Sequence, residues 1–200
     1  MPKIELMIEV TTTHLQQLSV SELRRSTRTL PAGARIERVE AMTPEFSKYL
    51  YQGVGSGWNW SDRLSLTRAE WASLLEAAGV ETYVIYLHGA PAGYLELVGR
   101  VERTGTEVEI MYFGLFPQSI GHGLGGALLS EGMSRAWDLD ARWASFPPVS
   151  RIWVHTCSLD GPAALANYQA RGLQIFHTES EMLEPGDGAA GMWPESMPSA

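Results

Sequence analysis

VEIMYFGLFPQSIGHGLGGALL, residues 108–129, runs from an apolar strand through a proline and a glycine-rich loop into a helix. Successive backbone N–H groups in such a loop, backed by the positive end of a helix, hold anionic oxygens without any basic side chain. Gly121, Gly123, Gly125 and Gly126 let the backbone approach a ligand closely. The stretch predicts a phosphate cradle, and the fold follows from which phosphate it takes.

A Walker-type loop needs a lysine after its last glycine, and no lysine occurs after Lys48. Gly121, Gly123 and Gly126 match the dinucleotide fingerprint letter for letter. A dinucleotide fold, however, begins at that motif and needs several further βα units, for which too little chain remains. It also places an acidic residue on the following strand roughly 20 residues on, whereas Asp138 and Asp140 fall at a helix end. The third candidate is the pyrophosphate of coenzyme A.

The flanking pattern is mixed α/β. Upstream, apolar residues predict a meander of three antiparallel strands: Tyr83 to Leu87, Ala92 to Val98 and Glu107 to Leu115, joined by turns at His88-Gly89-Ala90-Pro91 and around Arg103 to Gly105. Before them, Thr43-Pro44-Glu45 and the capping-box pattern Thr67-Arg-Ala-Glu70 start two helices. The Gly53–Arg63 loop between those helices carries Trp58 and Trp60, which either fill core or wall a pocket. Downstream, a helix spans about Gly121 to Leu139, a strand Arg151 to Cys157, a helix Pro162 to Arg171 closed by Gly172, and a strand Leu173 to His177. Lys3 to Thr13 alternates as a half-exposed strand, Ser19 to Arg28 reads as a short basic helical segment, and Ile36 with Val39 marks another strand. After Glu184 the composition shifts to Gly, Pro, Ala, Ser and acid, the signature of a frayed tail.

In this setting Leu115 to Leu129 resembles motif A of the GNAT superfamily of N-acetyltransferases, Q/R-x-x-G-x-G/A, with Gly123 and Gly125 in the glycine positions and Ile120 departing at the first letter. Residues 163–173, AALANYQARGL, resemble the same family's later A-x-x-L-Y-x-x-x-G-F signature, with a strand between the two as expected. The resemblance implies an α+β fold with a mixed, mostly antiparallel central sheet flanked by helices. It divides the chain into an N-terminal extension packed on the domain (1–34), an acetyltransferase domain (35–183) and a flexible tail (184–200).

The resemblance also implies a role for each part of the site. Acetyl-CoA is the co-substrate, held by Ile120, Gly121, His122, Gly123, Leu124, Gly125 and Gly126 at its pyrophosphate and by the backbone of Phe113, Gly114 and Leu115 along its arm, with Gly114 at a bulge. Tyr168 matches the tyrosine that protonates the departing thiolate, and Glu109 the strand glutamate that serves as base, with Glu96 as the alternative base. Trp58, Trp60, Glu96 and Tyr112 are candidates for the acceptor pocket, and Asp62 or Glu96 for holding an ammonium. The implied activity is transfer of an acetyl group to an amine, a small molecule, directly within a ternary complex. The rival is a catalytically silent GNAT-like module that binds acyl-CoA or a partner protein.

Composition narrows the alternatives. The chain has 200 residues, 44% of them hydrophobic, enough for one substantial core. A formal net charge of -8 disfavours nucleic acid as a partner, because such binding needs a positive surface to displace counterions. Neither a signal-peptide pattern nor an apolar run long enough for a membrane span is present, so a cytoplasmic location without membrane attachment is expected. A homodimer is left open. His88, His155, His177 and Cys157 lack metal-ligand spacing, so no metal site is expected. Cys157 reads as a small buried hydrophobe.

Overall fold

The computed structural model describes residues 7–58 and 60–183. Its centre is one seven-stranded sheet in the order β2-β3-β4-β5-β6-β1-β7. The strands are β1 (Ile8–Gln17), β2 (Ala34–Arg38), β3 (Val80–Leu87), β4 (Ala90–Glu102), β5 (Gly105–Leu115), β6 (Val149–Cys157) and β7 (Gln174–Leu183). Every neighbouring pair is antiparallel except β5 and β6. The expected meander is β3, β4 and β5. Its first turn closes because His88 and Gly89 both take positive φ, the mirror-image turn that matches strand twist.

Two helices cover one face of the sheet and two the other. On the first face lie α1 (Pro44–Gly55) and α2 (Arg68–Glu76). Thr43 caps α1 by accepting the Phe46 N–H, and Thr67 with Glu70 forms the reciprocal capping box on α2. Leu50, Tyr51, Val54 and Trp71 from these helices bury against Val84, Tyr94, Tyr112 and Phe116. On the other face, α3 (Leu124–Trp137) and α4 (Ala164–Ala170) bury Leu124, Leu128, Leu129, Met133 and Tyr168 against Leu95, Leu97, Val108, Ile110, Ile152 and Val154. Gly132 lets α3 sit tight on the sheet, since a Cβ there would come within 2.5 Å of Leu95. Behind α3, buried Glu81 accepts hydrogen bonds from Arg142 (2.8 Å), Tyr83 (2.8 Å) and Trp143 (2.9 Å). Burial opposes the charge on Glu81, but the Arg142 and Tyr83 hydrogen bonds outweigh it and hold its carboxyl below the usual range. The stability this confers is present at neutral pH and is lost as pH falls through that lowered pKa.

The N-terminal region departs most from expectation. It is not laid on the domain: β1 is an interior strand, antiparallel to β6 on one side and to β7 on the other. It ends later than the pattern indicated, because pairing with β6 runs from Thr12 to Gln17, past the last alternating residue. The part of the expected strand before residue 7 lies outside the described residues, as does the expected tail from 184. Ser19 to Arg28 is helical only as the 3-10 turn Val20–Glu22. Beyond it the amides leave the local helix pattern: Arg24 N–H donates to the Arg171 carbonyl (3.0 Å) and Ser26 N–H to Ser130 Oγ (2.8 Å). The segment thus becomes a strap across α3 and α4.

Candidate active site

The parallel pairing of β5 with β6 ends early. It joins Thr106–Glu109 to Val149–Trp153 and stops, while β6 continues along β1 as far as Cys157. Beyond Glu109 the two strands diverge, and a cleft of about 960 Å³ fills the opening. One arm is Ile110–Leu115, the other Val154, His155 and Cys157. A bulge lies on the first arm, where Met111 is inserted between Ile110, opposite Leu97, and Tyr112, opposite Glu96. The bulge is three residues earlier than Gly114. Gly114 is small for another reason, since a Cβ there would collide with Val54 of α1.

At one end the cleft reaches the glycine loop. Gly121 (φ 86°) and Gly123 (φ 77°) both occupy the left-handed region, which a side chain disfavours. Gly123 is the N-cap of α3 and supplies no side-chain cap. The first-turn N–H groups of α3 have no partner within the helix, so this end presents backbone donors and the positive helix terminus. Ile120, Gly121, Gly123, Gly125 and Gly126 line the cleft here. His122 does not, and Leu124 is turned wholly into the core.

Two arginines that the sequence motifs did not flag flank this loop. Arg28, on the strap, has Nη1 3.3 Å from where a Cβ on Gly123 would sit, and Arg171 has Nη1 2.7 Å from the same point on Gly126. Arg171 Nε is buried without a hydrogen-bond partner. An orphaned guanidinium N–H beside an uncapped helix end is a donor awaiting an acceptor. The run Arg24, Arg25, Arg28 was visible as basic, but nothing local indicated that β1 would carry it to the loop.

Toward the middle, Tyr168 of α4 lines the cleft with its ring edge-on to Phe113 at 5.9 Å. Burial, helped by the charge on Asp160, raises the Tyr168 hydroxyl well above the ordinary phenol range, so it keeps its proton at all physiological pH. Cys157 is likewise raised, chiefly by burial, and remains a thiol.

At the far end Trp58, Trp60, Tyr112 and Asp62 line the cleft, with Trp60 against Tyr112. The question of core or pocket wall resolves as both for Trp60, which packs against Tyr112 (5.1 Å between centroids) and Tyr51 (5.7 Å) while lining the cleft. Trp58 lies over Gly161, where a Cβ would come within 3.3 Å of the indole. Asp62 accepts hydrogen bonds from Tyr51 (2.7 Å) and Tyr112. Each carboxylate oxygen keeps a further lone pair.

Besides His122 and Leu124, the two candidate carboxylates Glu96 and Glu109 are not on the cleft surface. Glu96 is 1% exposed and spent in a bidentate pair with Arg63 (2.7 and 3.1 Å), whose guanidinium stacks on Tyr112. Of the two residues considered for an ammonium, only Asp62 faces the cavity. Glu109 is 4% exposed, bound to Arg100 at 2.5 Å, and does not line the cleft. Its other oxygen lies 3.7 Å from Nδ1 of His155, which does. Among the described residues no cluster suited to a metal ion occurs, and no helix is long and apolar enough to cross a membrane.

No protein-family model matches the chain, and no curated protein matches it in sequence. Solved structures do match. A GCN5-related N-acetyltransferase from Kribbella flavida superposes with a TM-score of 0.56 at 18% identity, over 92% of this chain and 62% of that one. Another from Sphaerobacter thermophilus gives 0.55 at 13%, over 93% and 56%. A tandem GNAT protein from the clavulanic acid biosynthesis pathway gives 0.56 at 17%, over 88% and 55%. The chain spans between 55% and 62% of the length of these structures. At such identities the likeness is one of architecture, and with the diverging strands, the glycine loop and the tyrosine helix in place the chain has the fold of the GCN5-related N-acetyltransferases.

Proposed function

We propose that the chain is an N-acetyltransferase that moves an acetyl group from acetyl-CoA to a small-molecule amine by direct transfer in a ternary complex. What carries the reading is continuity: a single cleft joins the uncapped glycine loop, a protonated tyrosine and an aromatic pocket with a carboxylate.

The residues present fit a pyrophosphate-bearing co-substrate. The α3 first-turn amides and the orphaned Arg171 Nε are donors without protein acceptors, and Arg28 adds a second positive charge. When bound, acetyl-CoA supplies the activated acyl group. Phe113, Gly114 and Leu115 offer edge backbone along the arm of the cleft, where β5 has lost its pairing with β6. Tyr168 holds a proton in the middle of the cleft and serves as general acid toward a leaving thiolate. Trp58, Trp60 and Tyr112 wall the acceptor end, where Asp62 favours a cationic amine.

The test is calorimetric titration of the protein with acetyl-CoA, followed by assay of acetylation across a panel of primary amines. Saturable binding is expected. Absence of binding at millimolar co-substrate overturns the proposal, and binding with no turnover of any amine leaves the silent module in its place.

A further inference from the structure

An amine acceptor arrives mostly as an ammonium, and it must lose a proton before its nitrogen can act as a nucleophile. The strand glutamate that motif resemblance assigned to this task is shielded from the cleft, so the proton acceptor has to be sought among the groups that line it. Three side chains there carry a carboxylate or imidazole that can accept a proton: Asp62, Asp160 and His155. Asp62 is engaged by two tyrosine hydroxyls. Asp160 accepts the Thr156 hydroxyl (2.6 Å) and the Cys157 N–H (3.0 Å) on the same oxygen, closing the turn after β6. His155 remains. It is the one imidazole lining the cleft among the described residues, and it stands just past the last β5–β6 pair, where the strands begin to part.

The surroundings of His155 order its two nitrogens. Nδ1 faces Glu109 at 3.7 Å, an ion-pair separation longer than a hydrogen bond, of the kind that catalytic pairs often tighten only when substrate is present. Glu109 is in turn fixed by Arg100 at 2.5 Å. A carboxylate at Nδ1 favours the tautomer with the proton there, which leaves the Nε2 lone pair for another partner. The remaining neighbours are Trp153 on the same strand, 6.2 Å between ring centroids, and His14 of β1, 5.9 Å away. His14 is itself held by Glu179 of β7 at 3.2 Å, and Glu179 also pairs with His177.

We infer that His155 is the general base of this site and that Glu109, backed by Arg100, is its positioning residue. Nε2 takes one proton from the acceptor ammonium, the nitrogen keeps the electron pair of that N–H bond, and the imidazolium then releases the proton to water through the open side of the cleft. The inference rests on the proposed acetyl transfer. It goes beyond that reading by moving the base from β5 to β6 and by giving the buried glutamate a task it can perform from where it sits.

The experiment compares wild type, His155→Gln and Glu109→Gln, using acetyl-CoA calorimetry, amine-panel kinetics against pH, and nitrogen-15 NMR of the histidine rings. His155→Gln is expected to bind acetyl-CoA as the wild type does and to lose about 10²-fold or more in kcat near neutral pH. The deficit should shrink as pH approaches the acceptor's own pKa, where the amine needs no base. Glu109→Gln should show a smaller loss together with a shift of the His155 ring away from the Nδ1–H tautomer. Full turnover by His155→Gln, or a deficit that stays constant with pH, overturns the inference while leaving the transferase reading intact. Failure of the wild type to bind acetyl-CoA overturns both.

Discussion

At the glycine loop the protein meets its ligand with backbone: amides, a helix terminus and two glycines at positive φ, with Arg28 and Arg171 set at the edges. Along the rest of the same cleft it relies mainly on side chains, and they come from five places, namely the α1–α2 loop, β5, β6, the turn after β6, and α4. A site made of backbone is fixed by local conformation and tolerates most changes of side chain. One made of side chains depends on tertiary packing, since Tyr112, Tyr168 and Trp60 are held by core neighbours before they can face a ligand. Binding and chemistry should therefore separate along the cleft.

The largest expected effect is at Tyr168. Tyr168→Phe keeps the ring packed against Phe113 and removes only the proton donor, so kcat should fall about 10²- to 10⁴-fold with acetyl-CoA affinity unchanged. Calorimetry and steady-state kinetics on one preparation read both numbers. If affinity drops in step with turnover, the two ends are not independent and the division fails.

The converse change is Gly123→Val. A β-branched residue at φ 77° is a steric outlier, and relieving it means rotating the loop that starts α3. Acetyl-CoA affinity should weaken about tenfold or more, roughly 1.4 kcal/mol per factor of ten, while kcat at saturation stays within a few-fold. A variant that binds normally but turns over slowly would place the loop in the chemistry.

The same division separates what is legible in the sequence from what only tertiary packing decides. Glycine spacing, the N-cap at Thr43, the capping box at Thr67 and the alternation of β3 to β5 are local signals, and they produced those elements in the structure. The insertion of β1 between β6 and β7 pairs residues more than a hundred positions apart, and no pattern within Ile8–Gln17 specifies its neighbours. From that insertion follow the strap and Arg28 at the loop. Glu96 and Glu109 were legible as carboxylates on apolar strands, but their partners Arg63, Arg100 and His155 were not, because cross-strand and loop contacts decide whether a buried acid faces a ligand or an arginine. Cys157, expected as a small buried hydrophobe, is instead half-buried and lines the cleft, because it sits where β6 has parted from β5.

The smallest predicted effect tests the arginines at the edge of the backbone end. Arg28 is exposed on the strap, so its attraction for a phosphate is discounted by water and by salt. Arg28→Ala should weaken acetyl-CoA about two- to fivefold at low ionic strength, with most of the difference gone at about 0.5 M salt. Arg171 differs in kind: its Nε is buried and unpartnered, and a donor already removed from water contributes more when an acceptor arrives. The salt series therefore separates two contributions within one end of the cleft. A salt-insensitive loss at Arg28 would mean that the strap acts by closing over the loop, and β1, which carries the strap there, would then belong to the binding site as much as the glycines do.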